Sequence, residues 1–271
     1  MLQNNFQVLP FYKNINEQHH RKPYAFGAVY PLYCPTDRLL PFQLSIQHVD
    51  TSEKELIESA VLYSPSGEYI SDISDYLNSS LNVVQAEEGL DVIILSDLAS
   101  GTASYIKEGF AYLQLKTGNG EIFFSEVLCF VSNIEDYVKV QWRDQEDLQV
   151  TGHSLLYSQG LVNTMYLNAI IGKPKYDFDE EGEDRNGYFF AEKQLSKKTY
   201  KFAFVAPEYL CDAIRLIRLS DIIEVTSAGQ TLRCDSFTVE PEWEEQGDLA
   251  SVEVEFTTGT VVKKIAAGWP K

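Results

Sequence analysis

Along much of this chain apolar and polar residues alternate one by one, which is the period of a half-buried strand. Phe42, Leu44, Ile46 and His48 interleave with Gln43, Ser45 and Gln47. Ala250, Val252, Val254 and Phe256 interleave with Ser251, Glu253, Glu255 and Thr257, predicting a strand with its even positions turned inward. Tyr200, Phe202 and Phe204 share one side of a third segment, Lys198 to Val205. Asp91 to Leu95 is a short apolar run suited to a buried strand, and Val138 to Trp142 alternates again. Turn chemistry marks two hairpins. Phe110–Leu115 and Glu121–Val131 flank Thr117-Gly118-Asn119-Gly120, and Ile222–Thr226 and Gln230–Cys234 flank Ala228-Gly229. Such dipeptides supply the positive φ that a tight hairpin requires. In the first hairpin Ala111, Leu113 and Leu115 are expected on one face, and Ile122, Phe124, Leu128 and Phe130 on another.

One segment changes period. Leu210, Ala213, Ile214 and Ile217 recur at helical spacing, after Pro207 at a first helical position and Glu208 in a first turn. With Arg215 and Arg218 in the last turn, they predict a short helix over about 207–219, packed on a sheet. Residues 53–63 are ambiguous. Ser52 and Glu55 have capping-box spacing, whereas Ala60–Tyr63 runs into the turn signal Pro65-Ser66-Gly67. A strand near Val61 is the expectation there. No repeat of solenoid or propeller length is visible. The pattern as a whole predicts a mainly β protein with two β-sandwich-like units and one short packed helix in the second. Residues 1–37 are irregular and polar and are expected to form an extended arm ordered against a partner. The N-terminal β domain then covers 38–136, ending at the break Ser132–Asp136. The C-terminal β domain covers 137–271 and carries an acidic loop over about 172–187.

Composition narrows the function classes. The 271 residues include 40 acidic and 22 basic side chains, a formal net charge of −18. A field of that sign repels phosphate backbones and anionic membrane surfaces. Cys34, Cys129, Cys211 and Cys234 are widely spaced, with no C-x-x-C pair, and are expected as free thiols in a reducing compartment. Neither a signal peptide nor a membrane-spanning apolar run is expected.

Candidate chemistry is sparse. Asp177, Asp179, Glu181 and Gly182 follow the opening spacing of a calcium-binding EF-hand loop, but Tyr188 stands where the closing bidentate carboxylate belongs. A solvated acidic loop is therefore expected in place of a metal site. Gly152-His153-Ser154 begins like a nucleophile elbow, yet Leu156 occupies the second glycine position. His19, His20, His48 and His153 form no zinc pattern, and no phosphate-cradling glycine motif occurs. The one basic cluster, His19-His20-Arg21-Lys22, suits an arm seated on an acidic partner. Trp142 and Trp243 are expected in the core and Trp269 against a neighbouring domain or subunit, although exposed indoles could form a sugar platform. No catalytic, cofactor-binding or metal-ligating residue is assigned.

A resemblance adds to this. The C-terminal half carries Gly160-Leu161-Val162-Asn163 with Tyr166-Leu167, then Ile171-Gly172-Lys173-Pro174-Lys175-Tyr176, and Glu180-Glu181-Gly182-Glu183-Asp184-Arg185-Asn186-Gly187. It continues through Ser196-Lys197-Lys198-Thr199-Tyr200-Lys201-Phe202, Pro207-Glu208-Tyr209-Leu210, and Trp243 with Gly247-Asp248-Leu249-Ala250. Val254-Glu255-Phe256-Thr257-Thr258 and Val262-Lys263-Lys264 complete it, with fainter matches at Leu40-Pro41-Phe42-Gln43 and Ser125-Glu126. This wording resembles the tail and neck structural proteins of tailed phages and prophages of Bacteroidetes, crAss-like phages included. The resemblance implies a non-enzymatic β-sandwich protein, without cofactor, that assembles into a homo-oligomeric ring or tube segment beside portal, neck or tail proteins. It would be made in the host cytoplasm and end in the virion. A glycan- or receptor-binding module at a tail tip or cell surface is the alternative.

Overall fold

The computed structural model describes residues 6–48, 56–85, 90–96, 106–150, 153–243 and 247–264. The protein is mainly β, built as sandwich-like units of several sheets with short packed helices. The largest sheet has eleven strands. Its path runs Phe11–Tyr12, Ile122–Ser125, Gly109–Thr117, Leu128–Val131, Leu32–Pro35, Asn163–Leu167, Val138–Arg143, Ile222–Ser227, Gln230–Arg233. Ile57–Tyr63 and Tyr69–Asp72 branch from the Gly109–Thr117 strand. A three-stranded sheet holds Phe42–Gln47, Leu90–Leu95 and Asn82–Gln85. A four-stranded sheet orders Lys175–Arg185, Tyr188–Pro207, Leu249–Lys264 and Ser236–Trp243.

Side chains from these three sheets meet in one continuous core. Phe42, Leu44 and Ile46 are buried, and so are Ala250, Val252, Val254 and Phe256, so both alternating strands lie in the expected phase. Asp91–Leu95 is buried on both faces. Ile93 and Leu95 join the main core, while Val92 and Ile94 pack with Leu155, Tyr157 and Leu161 in a smaller cluster. A strand covered on both sides is apolar at successive positions. The α-helix Glu208–Ile214 and the 3-10 turn Ile217–Leu219 bury Leu210, Ala213, Ile214 and Ile217 against the four-stranded sheet. Pro207 ends the preceding strand and stands at the N-cap, one residue before the first helical position expected for it, and no side chain caps the helix. A second α-helix, Ser74–Ser80, buries Leu77 in the N-terminal half. Tyr63 ends the Ile57–Tyr63 strand; Ser52 and Glu55 lie outside the described residues.

Three expectations are corrected. Residues 1–37 are not an arm over their described part. Val8, Leu9, Phe11, Leu32 and Cys34 are all within the main core. Phe11–Tyr12 pairs with Phe124–Ser125, and Leu32–Pro35 runs parallel to Leu128–Val131. Gln7 extends this docking by bonding the Gln43 backbone twice, with its amide donating to the carbonyl at 2.9 Å and its oxygen accepting from the N–H at 2.7 Å. Strands this short are joined by 3-10 turns and leave no periodic trace in the sequence.

The segment Ser132–Asp136 falls between two groups of strands that belong to one sheet. Along the eleven-stranded sheet the strands from before it fill one end and those from after it the other, meeting where Tyr33 pairs with Tyr166. The face assignment in the Glu121–Val131 segment slips by one. Phe123 is buried and Ile122 is exposed, while Leu128 and Phe130 face inward as expected. The phase changes at Glu126-Val127, the two residues between the strands Ile122–Ser125 and Leu128–Val131. Finally, 172–187 is not a loop but mostly a strand, Lys175–Arg185, with many exposed side chains.

Candidate interaction surface

Lys175–Arg185 and Tyr188–Pro207 make a long antiparallel hairpin closed by Asn186-Gly187, with φ of 54° and 81°. Two consecutive positive φ values define the hairpin turn that Asn-Gly favours. That dipeptide was the available signal, and it lies inside a run too acidic to read as strand. Lysines on the neighbouring strand stabilise the acidic one. Lys197 lies 3.3 Å from Asp179 and Lys193 lies 3.2 Å from Glu181, while Lys175 pairs with Asp177 at 2.7 Å along the strand. Opposite charges facing one another across strands contribute roughly 0.2–1 kcal/mol each, in place of the packing this strand lacks.

The hairpin has an inner and an outer half. Near its base the even positions of Tyr188–Pro207 enter the core. Phe202 and Ala206 are buried, and Tyr200 stacks on Phe256 with ring centroids 5.2 Å apart. Helix Glu208–Ile214 lies against this region. Farther out the cover ends but the apolar pattern does not. Tyr176 pairs with Lys198 and Phe178 with Ser196, so both aromatics continue the face that carries Tyr200 and Phe202. Phe178 is 72% exposed and Tyr188 73%, and Tyr176, Phe189, Phe190 and Val261 are also exposed. Lys198 covers the Tyr176 ring at 5.7 Å. A strip that is core at one end is thus bare at the other. A register shift between Glu181 and Gly182 adds twist near the tip. Gly182 is required there, since a Cβ would collide with the Phe190 carbonyl oxygen.

This geometry explains the calcium pattern. Asp177, Asp179 and Glu181 lie along one face of a strand, where alternate side chains stand about 6.5 Å apart. Each is matched by a lysine. They do not converge on a point, and among the described residues no three His, Cys, Asp or Glu side chains could share a metal ion.

The other candidates separate. Gly152 lies outside the described residues. Ser154 lies on the short strand His153–Leu155, away from any strand–helix elbow, and its carbonyl accepts from Gln43 Nε2 at 2.6 Å. Trp142 is fully buried as expected, but Trp243 is 47% exposed on the edge strand Ser236–Trp243. It is the last residue of that strand. Trp269 lies outside the described residues. The four cysteines are free, with Cys34 and Cys211 buried. No helix among the described residues is long and apolar enough to cross a membrane.

The basic cluster meets this chain itself. His19 and His20 are buried, and Arg21 donates to the Pro65 carbonyl at 2.8 Å. Beside them lies a buried carboxyl. Glu126 is buried, accepting from the His19 N–H at 2.9 Å, the Val127 N–H at 3.1 Å and Tyr12 Oη at 3.3 Å. Burial outweighs those donors and pushes its pKa up to about 7. Burial also lowers His19 and takes His20 down to about 4, and it raises the Tyr12 and Tyr209 phenols. Glu126 sits at the phase change between two strands, where a polar residue is turned inward. The Ser125-Glu126 wording gave no hint of its burial.

Compared with protein families and with curated proteins, the chain matches neither any family model nor any curated sequence.

Proposed function

We propose that this protein is a non-enzymatic structural subunit of a tailed-phage virion, forming a ring or tube segment of the neck or tail. The observation that carries the proposal is the hairpin Lys175–Pro207, whose core-facing aromatic strip continues past the core into solvent. An eleven-residue strand spans about 35 Å, long enough to reach a neighbouring subunit. Exposed aromatics on a rigid hairpin are more useful at an assembly contact than on a solitary molecule, since a bare strip of that kind favours association. The resemblance in wording through this same hairpin supplies the viral setting. A net charge of −18 fits a subunit lining a channel, because DNA slides past an acidic wall without adhering. In this role the protein needs no cofactor. It assembles in the host cytoplasm with copies of itself and with neighbouring portal, neck or tail proteins.

The test is co-expression with the portal and tail proteins encoded beside it, followed by electron microscopy and mass spectrometry of purified particles. A stoichiometric ring component supports the proposal. A protein that stays monomeric with those partners and is missing from particles refutes it. Glycan binding is the alternative, favoured by the exposed Trp243 indole; saturable hits on a glycan array that Trp243→Ala removes would establish it instead.

A further inference from the structure

The Lys175–Arg185 strand ends the four-stranded sheet, with its outer side unpaired by any described strand. An edge of eleven residues is a template for an added strand. Its side chains specify what can be added. Tyr176 and Phe178 point to one face, and Asp177, Asp179 and Glu181 to the other. On the inner side of the strand those carboxylates already face Lys193 and Lys197. A strand on the outer side that repeats this arrangement places a basic side chain beside each carboxylate and an apolar one beside each aromatic.

A second copy of this chain does not fit. Two Lys175–Arg185 edges paired antiparallel about Glu180 would set Asp177 against Glu183, Asp179 against Glu181 and Glu180 against itself. Like charges directly opposite are destabilising, and the strand holds six carboxylates against only Lys175 and Arg185. Among the described strands, Val138–Arg143, which carries Lys139 and Arg143, is already paired along both edges. Lys13, Lys116, Lys201 and Arg215 are each paired with a carboxylate of the same chain.

We infer that the outer edge of Lys175–Arg185 docks a strand of a different protein, one alternating basic and apolar residues. This rests on the assembly role proposed for the hairpin and identifies the chemistry of the partner. The hairpin is then a contact between unlike proteins, and any contact between like subunits lies elsewhere on the surface.

The experiment uses the full chain and a blocked ten-residue peptide alternating lysine and valine, measured by titration calorimetry. Its controls are a glutamate–valine peptide and a lysine–valine peptide N-methylated along one edge. Saturable binding is expected for lysine–valine alone. It should weaken at least tenfold with Tyr176→Ser/Phe178→Ser, exposed changes whose melting should match the wild type. Binding by the N-methylated peptide at equal strength would reduce the effect to charge adsorption and overturn the inference. So would no binding of the lysine–valine peptide. Sedimentation showing a dimer that Phe178→Ser dissolves would make a second copy the occupant. Partition onto phosphatidylcholine vesicles, lost with Phe189→Ser, would make it a lipid surface. Incorporation into particles is unaffected by the peptide result, so failure here and failure of the virion role are separately visible.

Discussion

Glu126 makes the stability of this fold depend on pH in a direction opposite to most carboxylates. Its pKa is about 7 folded against 4.5 for a free side chain, so the folded state holds a proton that the unfolded state has released. Where the native state binds more protons, stability falls as pH rises. The contribution is fully present below about pH 4.5 and is lost as pH passes through about 7. A difference of 2.5 units corresponds to about 3 kcal/mol. The histidines act the other way. His19 and His20 are lowered by burial, so their contribution grows as pH rises toward the ordinary histidine range, and the wild-type profile is partly flattened. The clean readout is therefore Glu126→Gln minus wild type, from urea unfolding at half-unit steps between pH 4.5 and 7.5. Glutamine cannot titrate, so this difference should rise by about 3 kcal/mol across the range. An amide also sets an NH2 beside one of the two backbone donors, His19 N–H or Val127 N–H. That costs about 1–3 kcal/mol at every pH and leaves the slope intact. Parallel profiles for the two proteins would show that Glu126 is ionised in the fold throughout, and that its burial does not control its titration.

Other outcomes follow from packing and charge. Phe11→Ala should cost about 3–5 kcal/mol, because Phe11 lies 4.7 Å from the Phe42 ring in the main core; a loss under about 1 kcal/mol by urea unfolding would restore residues 1–37 to the status of an arm. Ile214→Asp should destabilise by roughly 3 kcal/mol or more, since it places a charge on the fully buried helix face. A melting curve unchanged from wild type would mean that the helix is not packed on the sheet. Calcium at about 1 mM should leave the melting midpoint in place, because ligand below its Kd contributes little, and the carboxylates of Lys175–Arg185 are spread along a strand. A rise of several degrees would require them to converge.

Features that depend on near neighbours in the chain are legible in the sequence alone. The alternation of Phe42–Ile46 and Ala250–Thr257, the Ala228-Gly229 turn and the inner face of the Glu208–Ile214 helix are each written within a few residues. Backbone periodicity links residues two, three or four apart, and burial of one face selects for it. Decisions between distant segments are not legible there. Phe11–Tyr12 is too short to show a period, and only Phe124–Ser125, over a hundred residues away, makes it a strand. Trp243 alternates like a core residue, yet it is 47% exposed at the end of an edge strand. The acidic segment reads as loop because carboxylates resist strand formation, until Lys193 and Lys197 arrive from the partner strand to face them. Where a segment is stabilised by groups it meets only after folding, its composition reports the penalty and the tertiary structure supplies the compensation.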